Sequence, residues 1–149
     1  MNTTTPRVIR DAFVVAIKAI TPTHARHRDR RFREVKSVDD VPGPTLRNFF
    51  VDISVGQPVR DGIYGSGVEF AVECVVYVNY GGLTAEDDDS IITEDGAQIW
   101  GALQALYDPG LAGLISVEPT PFIDGISEGD KAGYRWGAFG FQVRYLHNV

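Results

Sequence analysis

"GVEFAVECVVYVNY", residues 67–80, decides how the rest of the chain is read. Val68, Phe70, Val72, Cys74, Val76, Val78 and Tyr80 form an unbroken apolar row at a two-residue period, while Glu69 and Glu73 mark the opposite, wetter face. Such alternation is the signature of a long strand with one side in a core. Cys74 stands within that row and is read as a core residue rather than a nucleophile.

Before this strand, "NFFVDISV" (48–55) alternates in the same way. Phe49, Val51, Ile53 and Val55 point to one side, and Asn48, Asp52 and Ser54 to the other. Between the two lies "GQPVRDGIYGSG" (56–67), whose glycines, proline and Asp61-Gly62 pair read as turns. The expectation is a hairpin with a long loop at its tip. That loop, with Arg60, Asp61 and Tyr64, is either a contact surface for partners or an excursion without function.

Helical signals flank the strands. Thr5-Pro6 is a good start signal, because a hydroxyl caps the free amides and proline occupies the first turn at no hydrogen-bond cost. Ile9, Phe13, Ala16, Ile17 and Ile20 then recur at three- and four-residue spacing until Pro22. A second helix follows "GGLTAEDDDS" (81–90), with Thr84 or Ser90 as candidate caps. Glu86, Asp87, Asp88 and Asp89 sit where the helix dipole favours carboxylates. Ile92, Gly96, Ile99, Leu103 and Leu106 run down one face, and Gly96 and Gly101 are expected to serve close packing. "FREVKSV" (32–38), "GLISVEP" (113–119) and "YRWGAFGFQVRYL" (134–146) are further strand candidates, and "VDDVPGPT" (38–45) is a loop. Helix, strands, helix, strands implies an α+β fold. It is a single domain over residues 1–149, with a mostly antiparallel sheet packed against two helices.

The charge is unevenly spread. The formal net charge is −6, yet "HARHRDRRFREVK" (24–36) holds Arg26, Arg28, Arg30, Arg31, Arg33 and Lys36 against Asp29 and Glu34, a local net of +4. An acidic remainder of −10 disfavours general duplex binding. The lone cysteine excludes an internal disulfide, and no apolar run has the length of a membrane span. The N-terminal segment lacks the pattern of a signal peptide, so a soluble, unsecreted protein is expected.

Motifs for chemistry are missing. Residues 86–89 lack the alternating ligands and glycine of a calcium loop. His24 and His27 lie among arginines, which disfavours zinc. "YGSG" (64–67) has no phosphate-loop lysine. No enzyme activity, cofactor or metal is expected.

Taken in order, "PRVIRDAFVVAIKAI", "VEFAVECVVYVNYGG", "IITEDGAQIWGALQALYDP", "GLISVEPTPF" and the closing "GFQVRYLHNV" resemble the tail terminator (tail completion) proteins of long-tailed bacteriophages over almost the whole chain. The resemblance implies a structural virion protein at the head–tail junction, assembled in the host cytoplasm. Members form a ring, usually of six copies, that caps the tail tube, stops its polymerisation and offers a surface to the head's connector, or neck, protein. DNA passes through the lumen without specific binding. The family carries no catalytic residue to transfer. Candidate interface residues, chosen from charge and position, are Arg26, Arg28, Arg30, Arg31, Arg33, Arg60, Asp61, Tyr64, Asp87, Asp88 and Asp89. Two other readings are another neck or head-closure component of the same machine, and a small nucleic-acid-binding module using residues 26–36, with Phe32 stacking on a base.

Overall fold

The structure, a computed structural model, describes residues 4–24, 28–36, 46–64, 67–80, 85–107, 113–120, 126–128 and 135–148. Helix α1 spans Pro6–Lys18, capped by the Thr5 hydroxyl, which accepts from the Val8 amide at 3.3 Å. Strands β1 (Arg33–Glu34), β2 (Asn48–Ile53), β3 (Gln57–Tyr64) and β4 (Gly67–Asn79) follow. Helix α2 (Ala85–Gln104) runs into a 3₁₀ turn, and β5 (Leu114–Pro119), β6 (Ile126–Glu128) and β7 (Arg135–Asn148) complete the order. The α+β expectation holds: one mostly antiparallel sheet with two helices on one face.

The sheet is built on the strand that organises the sequence. β4 pairs with β7 in unbroken antiparallel register from Gly67↔Asn148 to Asn79↔Trp136. The order across the sheet is β1-β2-β4-β7-β5, and β1 is the exception in direction, running parallel to β2. The apolar row of β4 from Val72 to Tyr80 is buried with Phe141, Val143 and Tyr145 of β7. Ile9, Phe13 and Ile17 of α1 and Ile91, Ile99 and Leu103 of α2 close this core from above. On the other face Phe50 and Tyr77 stack at 4.8 Å.

The long hairpin loop is not found. Residues 57–64 form β3, which pairs with β4 at Gln57↔Ala71, Pro58↔Phe70, Ile63↔Val68 and Tyr64↔Gly67. β2 covers the β4 edge only at residues 74–78, so the N-terminal half of that edge still needs backbone partners, and β3 supplies them. The turn-like composition is absorbed by a register shift between Pro58 and Ile63, where an irregular edge strand tolerates proline and glycine. Val55, expected on the core face, falls in the break between β2 and β3 and is 78% exposed.

Other expectations also change. Of the strand expected at 32–38, the described residues form strand only at Arg33–Glu34, and the loop expected at 38–45 lies outside the described residues. Ser90 is inside α2, not at its cap, and Thr84 lies outside the described residues. Glu69 is buried, with its carboxylate 4.0 Å from Arg144, while Glu73 is exposed as expected. Gly96 does serve close packing, since a Cβ there would come within 2.8 Å of the Phe139 ring; Gly101 faces open space and does not.

Candidate functional site

The basic run follows shortly after α1. The residues that lead into it lie along α2: the Gln98 amide donates to the Thr21 carbonyl at 2.9 Å, and the Thr23 hydroxyl donates to Glu94 at 3.3 Å. The His24 ring meets the Ser90 hydroxyl at 3.0 Å. Beyond this, Arg28, Arg30, Arg31 and Arg33 are exposed, while Phe32 and Val35 are each 4% exposed and turn into the protein. Two buried side chains therefore tether a segment whose cations face outward. Arg31 donates to the Ala19 carbonyl at 3.3 Å, and Arg10 of α1 approaches Glu34 at 3.7 Å. Arg26 lies outside the described residues.

Beneath this segment is a charged cluster that the sequence reading missed. Arg47, just before β2, is fully buried at a φ of 62°, a conformation uncommon for a bulky side chain. Its guanidinium forks onto the equally buried Asp95 of α2, with Nε and Nη2 at 2.9 and 3.0 Å from the two carboxylate oxygens. The Tyr80 hydroxyl donates to the same carboxylate at 2.8 Å. Gly137 of β7 leaves room for that phenol, since a Cβ there would lie 2.8 Å from the ring. Burial, and then the neighbouring Asp95 carboxylate, push the Tyr80 phenol well above its ordinary value, so it stays a donor.

The same arginine reaches the basic segment. Nη1 donates to the Arg30 carbonyl at 2.7 Å, and the guanidinium carbon lies 5.6 Å from the centroid of the Phe32 ring. Along the backbone, the Arg47 carbonyl accepts from the Arg33 amide at 3.1 Å, and the Arg47 amide donates to the Asn79 carbonyl at 2.7 Å. Arg47 thus joins the segment, the start of β2, the end of β4 and the middle of α2. One sequence signal was available: Asp95 sits between Ile91 and Ile99 at helical spacing, a carboxylate in the middle of an apolar face. Nothing local marks Arg47 as its partner.

The remaining candidates divide between two places. Asp87, Asp88 and Asp89 lie in the first turns of α2, directly before Ser90, which puts them at the same end of the molecule as the basic segment. Arg60, Asp61 and Tyr64 are on β3, along the opposite half of β4. Roughly ten residues of strand separate the two groups, about 30 Å. Among the described residues no cluster of His, Cys, Asp and Glu is placed to hold a metal ion. Cys74 is buried, and burial, followed by the Asp52 carboxylate, raises its thiol far above its ordinary value, which leaves it unreactive.

The sheet edges differ chemically. β1 presents the basic segment at one edge, whereas β5 carries exposed Glu118 and exposed Ile115 at the other, with β6 along the same side of β7. Beside β5, a groove of about 380 Å³ lies between α2 and the sheet, with Ile92, Trp100, Pro119 and Phe139 among its walls. Among the described residues no helix is long and apolar enough to cross a membrane. No protein-family model matches the chain, and no curated protein matches its sequence.

Proposed function

We propose that the protein is a tail terminator: a ring-forming virion protein that caps the tail tube, stops its growth and presents a surface to the neck. The reading rests on the resemblance along the chain, and one structural observation supports it. The basic β1 edge and the Glu118-bearing β5 edge lie on opposite sides of one sheet. Head-to-tail rings pair two different patches of identical subunits, so opposite edges of different chemistry, one arginine-rich and one bearing a carboxylate beside an exposed isoleucine, suit closure. Exposed ion pairs would set orientation and register, while apolar contacts supply most of the affinity. The partners are further copies of the chain, the tail tube protein and a neck protein, with DNA passing through the lumen.

The nucleic-acid alternative has less support. Phe32, the ring it would stack on a base, is buried edge-on against Phe49 at 6.2 Å and lies under Arg47. The test is assembly. Light scattering of the purified protein with and without tail tube protein should show a ring, alone or on the tube, and added protein should shorten tubes in electron micrographs. Arg28→Glu with Arg30→Glu should impair joining while leaving the monomer folded. A protein that neither assembles nor limits tube length overturns the reading.

A further inference from the structure

We infer that Arg47 is a positioning residue for the basic segment: a buried latch, charged against Asp95, that holds residues 30–33 in the conformation presenting their arginines. Three contacts from this one residue converge on that short stretch. Its Nη1 is bound to the Arg30 carbonyl, its guanidinium lies over Phe32, and its carbonyl takes the Arg33 amide. Asp95 fixes the guanidinium by a two-point fork, and Tyr80 fixes Asp95.

The cost of such a pair is the reason to look for a role beyond stability. Desolvating two charges offsets most of their attraction, and well-packed apolar replacements of buried pairs are often as stable as the pair itself. An apolar pair, however, cannot bind the Arg30 carbonyl. The ion pair supplies a donor, aimed by a planar fork, at the Arg30 carbonyl, just ahead of the point where burial of Phe32 and Val35 and the backbone pairing of β1 with β2 take over the hold on the segment. That the segment is a docking surface rests on the terminator proposal; the hold on the segment does not.

Hydrogen exchange read by mass spectrometry over residues 28–35 tests it in the intact chain. Arg47→Lys keeps a cation beside Asp95 but loses the fork, and should speed exchange at residues 30–33 by about tenfold or more relative to the rest of the sheet. The apolar swap Arg47→Met with Asp95→Leu leaves no unpaired charge and should free the same residues while α1 and β4 stay protected. Tyr80→Phe, which leaves all three contacts of Arg47 with the segment in place, should show near-normal exchange there. Val72→Ala, a cavity in β4 away from the cluster, controls for general loss of stability. Normal protection at 30–33 in Arg47→Lys, or equal loosening in Val72→Ala, overturns the latch. Ring assembly by light scattering is read separately: if the unaltered protein forms no ring, the terminator reading falls, while the exchange result still decides the latch.

Discussion

Arg47 and the arginines at 28, 30, 31 and 33 are the same residue type in opposite settings. The four face water beside an acidic protein, where screening and side-chain entropy leave each ion pair worth little. Arg47 is wholly enclosed, with its donors aimed at a carboxylate and a carbonyl. The lesson is that density of charge along the chain and energetic weight in the fold are separate quantities. The conspicuous arginines are available to partners, and the solitary one holds the subunit together.

The largest effect that can break this contrast is at the buried pair. Arg47→Ala leaves Asp95 charged and enclosed, and should cost about 3–5 kcal/mol in urea unfolding. A loss close to that of an exposed arginine would mean that water reaches the site. Next comes Tyr80→Phe, which removes one hydrogen bond to the buried carboxylate and should cost about 1–3 kcal/mol.

Tyr80 also carries a pH signature. Burial holds both its phenol and the Cys74 thiol neutral in the folded state, whereas the unfolded chain ionises them near their ordinary values of 10.0 and 9.0. The folded state then binds more protons than the unfolded state above those values. Stability is therefore fully present below about pH 9 and falls as pH rises past 9 and 10. Urea midpoints followed from pH 7 to 10.5 should decline less steeply in Tyr80→Phe and in Cys74→Ala than in the unaltered chain.

A smaller contrast on α2 follows the same logic of crowded against open sites. Gly101→Ala, with nothing within 4 Å of its Cβ, should gain roughly 1 kcal/mol from helix propensity. Gly96→Ala must displace the Phe139 ring and should lose stability instead. The smallest effect is expected at the surface. Alanine at any one of positions 28, 30, 31 or 33 should leave Tm within about 2 °C. A larger drop at one of them would show that its side chain, and not only the backbone that Arg47 grips, has a structural role.

Much of the fold was legible because its signals are local. The Thr5 cap, the spacing of Ile9, Phe13 and Ile17, and the alternation from Val72 to Tyr80 each specify an element and its buried face within a few residues. β3 was not legible, because Pro58 and Asp61-Gly62 read as turns until the uncovered edge of β4 is known to need a partner. At the candidate site the basic run was evident as composition, but not which of its residues turn inward. Phe32 and Val35 are buried because β1 pairs with β2, a contact made across residues 37–45.

The amino-acid sequence by itself determined the two helices, the central strand, the α+β class and the existence of a basic segment on an acidic chain. Each follows from periodicity, capping or charge, which act over a few neighbouring residues. Only the tertiary structure decided that β3 is a strand, that the sheet carries a basic and an acid-bearing edge, and that Arg47 meets Asp95 across 48 residues of sequence. Those outcomes depend on which backbone edges and buried charges remain unsatisfied once the core has formed, and that is a property of the folded whole.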